Sequence, residues 1–198
     1  IMPDQKILNS GHFHAESIAQ AMDNLAIAIS EIGSISERRV HYFMKGVGDR
    51  VPPFIASNPG LESGFMTAHV TAASLVSENK VLTHPASVDT IPTSGGQEDY
   101  VSMAPWAGRK CLRVIDNVRN ILSIELLAST TINELFHAPL KMANAFLPVL
   151  KLLKKHVHYS RTDRPLHSDI KLVNDLIKSN QIIKCVKKYN LFDHIQLN

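Results

Sequence analysis

The chain of 198 residues has a net charge of +3, 44% hydrophobic residues and 6% aromatic residues, which is typical of a helix-rich globular domain. It has no run of about 18 apolar residues, so we expect no membrane span, and its first residues do not resemble a secretory signal peptide. Cys111 and Cys185 lie in segments predicted helical and form no Cys-x-x-Cys pair. We therefore expect no disulfide framework and a reducing, cytoplasmic setting.

The positive charge is concentrated towards the end of the chain. Residues 1–136 contain ten Lys or Arg against fourteen Asp or Glu, whereas residues 137–198 contain eleven against four. A basic region can bind nucleic acid or another anion. This region lacks interleaved aromatic residues and any recognised nucleic-acid module. We interpret it as solvated helix faces and expect no nucleic-acid partner.

Helical periodicity begins after residue 14. Apolar residues recur there at spacings of three and four, which predicts one apolar face of a helix: Ile18, Met22, Leu25, Ile29 and Ile32. Gly33-Ser34 interrupts this pattern weakly before it continues to Met44. Alanines beside the apolar stripe let neighbouring helices approach closely, so we expect this helix to lie inside a bundle.

Two further long helices are predicted over about residues 61–79 and 102–130. The first of these is apolar nearly all round, which indicates burial on most sides. The second is a rod of about 40 Å, a length that is common in bundles and oligomers.

Shorter helices follow beyond residue 133. Pro139 and Pro148 are predicted to bracket a short apolar helix, and two more helices are predicted near residues 168–177 and 181–189. We predict an all-α fold of long antiparallel helices that form part of a central bundle. Its domains are residues 1–134 and a smaller, basic helical region at 135–198.

The loop over residues 85–103 is long for a connection without regular structure, and such loops are often functional. It contains Gly95 and Gly96 and two adjacent carboxylates, Glu98 and Asp99. Adjacent carboxylates diverge, so one could face a pocket while Asp99 acts as the N-cap of the next helix. The residues alone leave open whether Glu98 is functional or a solvated loop carboxylate.

A metal site is a weaker possibility near the start of the chain. In an extended segment, His12, His14 and Glu16 would point to the same side, as metal ligands require. No further ligand can be assigned by spacing, and a close pair is expected by chance among ten histidines. We therefore predict no metal.

Several motifs occur in one fixed order. They include Gly-Ser-Ile-Ser-Glu-Arg-Arg at 33–39, Ser-Gly-Phe-Met at 63–66, His-Pro-Ala-Ser-Val-Asp at 84–89, Gln-Glu-Asp at 97–99 and Val-Ser-Met at 101–103. Together they resemble histidine ammonia-lyase, within the aromatic amino-acid lyase family. The resemblance covers about residues 1–130, and Asp-Arg-Pro-Leu at 163–166 is similar to the family's C-terminal region.

The resemblance implies roles for four residues. Glu98 would be the catalytic carboxylate with Gln97 beside it, Phe13 would line the active site, and Met66 would contribute to the substrate pocket. The Gln-Glu-Asp sequence of this loop is similar to that of the histidine enzymes, whereas phenylalanine and tyrosine lyases carry Asn-Gln-Asp at the same place. Without the resemblance, core packing would be the simplest interpretation of Phe13 and Met66.

The family eliminates ammonia with a methylidene-imidazolone made from an internal Ala-Ser-Gly, and this sequence contains no Ala-Ser-Gly. We therefore predict the C-terminal part of a histidine ammonia-lyase, which converts L-histidine to trans-urocanate only together with the N-terminal part of the enzyme. The resemblance also implies a homotetramer, and we expect no membrane partner. The alternative is a non-catalytic helical pseudoenzyme or oligomerisation module.

Overall fold

The computed structural model describes residues 3–136 and 142–189, except for the side chain of Lys188. Over those residues the chain forms six α-helices and no β-strand, which confirms the predicted all-α fold. The helices are α1 (Glu16–Met44), α2 (Met66–Leu82), α3 (Ala104–Leu135), α4 (Leu147–Lys154), α5 (His167–Lys178) and α6 (Gln181–Val186). None of these helices is both long and apolar enough to cross a membrane.

The described residues form two compact units that are interleaved along the sequence. The first unit contains the residues up to Ile32 together with Ser77–Asn117, and the second contains Gly33–Val76 together with the described residues from Val118 onward. Each of the three long helices therefore contributes residues to both units. The proposed division at residues 134 and 135 stays a prediction.

The two units have cores of different composition. In the first unit a small core forms around Ala19, Ala86 and Ala107. The second unit has a larger apolar core, to which α1, α2, α3, α4, α5 and α6 all contribute. Its most enclosed large side chains are Val40, Ile121, Ile124, Leu127, Leu153 and Val173.

The apolar face predicted for the start of α1 is not the face that this chain buries. Ile18, Leu25 and Ile32 are exposed over 55%, 42% and 51% of their surface, while Ala19 and Ala26 are fully buried. Small side chains allow the backbones of the first unit to pack closely. The stripe of larger residues, Ile18, Leu25 and Ile32, remains exposed on the surface of the chain.

Helix α2 is also less buried than predicted. Ala68 and Ala72 lie in the core, but Met66, Val70 and Val81 on other faces are exposed. Its apolar character is therefore not matched by burial within this chain.

The start of α3 corrects the predicted N-cap. The helix begins at Ala104, whose N–H donates to Ser102 Oγ at 3.2 Å. Asp99 lies five residues earlier and is not the cap, because Met103 has a φ of 54° and the helix cannot extend back through it.

Helix α4 corrects the role assigned to Pro148. This proline lies in the first turn rather than beyond the end of a helix. A proline is well tolerated there because its missing N–H would have no partner within the helix. Pro139 lies outside the residues that the structure describes. Helices α5 and α6 agree with the predictions to within a few residues.

Candidate active-site segment

The loop that carries the Gln-Glu-Asp motif is closed by its own main chain. The N–H of Thr93 donates to the carbonyl oxygen of Glu98 at 2.8 Å, and the N–H of Glu98 donates back at 3.3 Å. Between them lies a 3-10 turn in which Gly95 and Gly96 have φ values of 66° and 88°. These left-handed conformations are readily adopted by glycine, which explains the glycine pair.

Glu98 presents its side chain to solvent from this closed loop. The hydroxyl of Ser94 donates to Glu98 Oε1 at 3.1 Å, so the carboxylate is oriented from within the loop. Gln97 is also exposed, and its N–H donates to the carbonyl oxygen of Ser94 at 3.4 Å. The structure thus presents Gln97 and Glu98 together on one exposed turn.

A buried ion pair anchors the segment that leads into this loop. Lys110 Nζ lies 3.4 Å from Asp23 Oδ1, and both side chains are almost fully buried in the first unit. Asp23 also accepts the N–H of Ser87 at 2.8 Å, while Lys110 donates to the carbonyl oxygen of His84. Burial opposes ionisation of Asp23, but these hydrogen bonds and the lysine outweigh it and lower its pKa.

Sequence reasoning missed this ion pair. The available signal was the spacing of Asp23 within the alanine stripe, four residues after Ala19 and three before Ala26. A carboxylate at such a buried position requires a partner from another element.

Phe13 lies on a short 3-10 helix, His12–His14, and is exposed over 79% of its surface. Its ring centroid is 4.3 Å from that of His14. Phe13 is therefore not a core residue of this chain, and its ring is free to contact a ligand or another part of the enzyme.

The same 3-10 helix contradicts the geometry assumed for a metal site. His12 and His14 do not alternate along an extended segment, and His12 Nδ1 is 2.6 Å from the hydroxyl of Ser10. Across residues 3–136 and 142–189, no group of three His, Cys, Asp or Glu side chains could hold a metal ion.

Met66 is the first residue of α2 and is exposed over 39% of its surface. The turn before it is held by Asp163, which accepts the N–H groups of Ser63 and Gly64 at 2.7 and 2.8 Å. Gly64 has a φ of 53°, and a Cβ there would collide with the carbonyl oxygen of Phe54. Only glycine fits this turn without a shift of the backbone.

Comparison with known proteins identifies the family. The family model for aromatic amino acid lyases matches residues 1–155. The chain belongs to this family. It is 49% identical to histidine ammonia-lyase of Aliivibrio fischeri (strain ATCC 700601 / ES114) over 175 residues, which is 88% of this chain and 34% of that protein. It is also 49% identical to histidine ammonia-lyase of Yersinia enterocolitica over 171 residues, 86% of this chain and 34% of that protein.

Solved lyase-family structures share the fold. The crystal structure of histidine ammonia-lyase from Trypanosoma cruzi matches 96% of this chain and 37% of that chain, with a TM-score of 0.89 and 42% identity. Tyrosine aminomutase from Streptomyces globisporus matches the whole chain and 37% of its own, with a TM-score of 0.89 and 28% identity. The chain spans about a third of the length of the curated relatives it matches.

Within the family motif at residues 33–39, the structure reveals a second buried carboxylate that sequence reasoning did not single out. Glu37 accepts two hydrogen bonds of 2.6 Å from Arg38 and lies 2.8 Å from His69 Nε2. Burial opposes its ionisation, but the bonds from Arg38 and His69 outweigh it and lower its pKa. The available signal was its spacing of three residues from the apolar Val40, which places both residues on the same side of a helix.

Proposed function

We propose that this chain is the C-terminal part of a histidine ammonia-lyase, which eliminates ammonia from L-histidine to give trans-urocanate. The single observation that carries the proposal is the exposed Glu98 on a loop closed by the Thr93–Glu98 pairing. Its Gln-Glu-Asp motif and the similarity to histidine ammonia-lyases support the choice of substrate.

The carboxylate of Glu98 suits a substrate that carries two kinds of N–H donor. L-Histidine offers an imidazole N–H and an ammonium group, and a carboxylate accepts hydrogen bonds from either. In this proposal Glu98 binds one of them and helps to move a proton during elimination. Gln97 supplies an amide beside it, and the exposed side chains of Phe13 and Met66 form apolar parts of the substrate pocket.

The proposed reaction also involves the family's prosthetic group. Methylidene-imidazolone supplies an electrophile that activates the substrate amine, because the β-hydrogen of histidine is too weak an acid for a carboxylate alone. The 198 residues contain no Ala-Ser-Gly from which it could form. Their exposed carboxylate, amide and apolar side chains fit the substrate side of such a site, and the group would be held by the remainder of the enzyme.

Assembly into a homotetramer is part of the proposal. Ile18, Leu25 and Ile32 recur every seven residues on the exposed side of α1, the spacing at which helices pack against one another. Burial of this stripe in a central bundle would remove apolar surface from water. We propose a cytoplasmic enzyme with no nucleic-acid or membrane partner.

The test is urocanate formation by the full-length protein. We expect turnover with L-histidine and little with L-tyrosine or L-phenylalanine at equal concentrations. The 198-residue chain alone should give none. Turnover by that chain alone would refute the need for the rest of the enzyme, and a preference for tyrosine or phenylalanine would refute the substrate.

A non-catalytic oligomerisation module is the second candidate, and the exposed stripe on α1 is the observation that favours it. In that case the full-length protein would assemble but would release no ammonia from any of the three amino acids. Ammonia release measured alongside the oligomeric mass separates the two candidates.

A further inference from the structure

We propose that Asp163 is a positioning residue that holds Met66 in place at the substrate pocket. This inference rests on the proposed function, in which Met66 contacts the substrate. Asp163 lies 100 residues along the sequence from Ser63, yet its carboxylate accepts the N–H of Ser63 in the turn before α2.

The turn before Met66 is fixed at four successive main-chain N–H groups. Asp163 accepts those of Ser63 and Gly64 at 2.7 and 2.8 Å, one on each oxygen. The N–H of Phe65 donates to Phe54 at 2.8 Å, and that of Met66 donates back to Ser63 at 3.0 Å. With Gly64 in a left-handed conformation, these bonds determine the direction in which α2 begins and hence where Met66 lies.

Asp163 is itself held by its neighbours in the chain. Arg164 pairs with Asp169 near the start of α5. Arg161 donates to the carbonyl oxygen of Leu135 at 2.6 Å and lies 5.2 Å from the Phe136 ring centroid. These contacts on both sides of Asp163 fix the position of its carboxylate at the turn. We call the two hydrogen bonds from Ser63 and Gly64 to Asp163 the carboxylate clamp.

The chemistry of the clamp requires a carboxylate. Two adjacent N–H groups need two acceptor oxygens, and a negative charge is favourable near the N-terminus of a helix. An asparagine has one acceptor oxygen and would set its NH2 group against one of the two donors. Asp163→Asn therefore removes one of the two hydrogen bonds of the carboxylate clamp with little change in side-chain volume.

The experiment measures kcat and KM for L-histidine in the full-length enzyme. We expect Asp163→Asn to raise KM about tenfold and to change kcat less than about twofold, because a displaced pocket residue weakens binding of substrate and transition state alike. The matched control is Asp175→Asn, an exposed carboxylate on α5, which should leave both constants unchanged.

A double-mutant cycle with Met66→Ala distinguishes positioning from a purely structural role. If Asp163 acts through Met66, Asp163→Asn should change KM less than about twofold in the Met66→Ala background. An equal tenfold rise of KM in the wild-type and Met66→Ala backgrounds, or an unchanged KM in the wild-type background, would overturn the inference. Should Asp163→Asn fail to fold, Asp163→Glu takes its place in the same cycle, since it displaces the turn while it retains both oxygens.

Failure of the proposed function has a different signature. If the unmodified full-length protein does not convert histidine, both the function and this inference are refuted. If it does convert histidine and Asp163→Asn leaves KM unchanged, only the role of Asp163 is refuted.

Discussion

Glu37 and Glu98 have the same side chain, but Glu37 is buried and Glu98 is exposed to solvent. Glu37 is buried in the second unit, and both of its oxygens are engaged by Arg38 and His69. Glu98 is exposed on a loop of the first unit, where Ser94 donates to one of its oxygens. A carboxylate whose hydrogen bonds are satisfied inside the protein stabilises the fold, whereas one presented to solvent can bind a substrate.

The sharpest test of this comparison removes the charge of Glu98. In the full-length enzyme we expect Glu98→Gln to lower kcat/KM for histidine by about a thousandfold, roughly 4 kcal/mol of transition-state stabilisation. Asp99→Asn, which changes the next carboxylate along the chain, should lower it less than about threefold. Similar losses in both variants would show that the loop needs negative charge in general rather than Glu98 in particular.

The reciprocal test removes the charge of Glu37. We expect Glu37→Gln to lower the free energy of unfolding by about 1.5 kcal/mol, because His69 loses a charged acceptor while water solvates the mostly exposed Arg38 side chain. Glu31→Gln, on an exposed position of the same helix, should change it by less than about 0.5 kcal/mol. Urea unfolding of the three proteins measures the difference, and equal midpoints would mean that the Glu37 cluster adds no net stability.

The comparison of Glu37 with Glu98 also shows which features could be predicted from the sequence. Periodicity and turn residues predict five of the six helices because these signals are local, whereas the short apolar helix predicted before Pro148 begins instead at Leu147. The Gln-Glu-Asp motif identifies the loop of Glu98 through family resemblance. Glu37 was part of another motif, but its burial depends on which face of α1 packs inward. The larger residues at Ile18 and Leu25 favoured one face, whereas the chain buries the other through Ala19 and Ala26.

Contacts between distant parts of the sequence were beyond such reasoning. Asp23 and Lys110 are 87 residues apart, and Asp163 is 100 residues from Ser63. No periodicity links such pairs, because their meeting depends on the packing of whole helices. Asp163 was noted within a family motif, but the motif alone did not predict that its carboxylate binds the turn before Met66.

Acid should weaken the contribution of Glu37 to stability. Its pKa lies below the usual 4.5 in the folded protein, so the folded state binds this proton more weakly than the unfolded state does. Its stabilisation is therefore present above about pH 4.5 and is lost as the pH falls through the folded pKa. We expect the stability difference between wild type and Glu37→Gln to shrink between about pH 5 and about pH 3. A constant difference across that range would contradict the linkage.

The smallest expected effect concerns how Glu98 is oriented. Ser94 donates to Glu98 at 3.1 Å on an exposed loop, where one hydrogen bond contributes about 1 kcal/mol or less. We expect Ser94→Ala to lower kcat/KM for histidine about threefold with no change in the free energy of unfolding, while Ser74→Ala on an exposed part of α2 changes neither. The main-chain pairing of Thr93 with Glu98 remains in the variant, so the loop keeps its shape and only the rotamer of the carboxylate is released. A loss as large as that of Glu98→Gln would instead show that the Ser94 hydroxyl contacts the substrate itself.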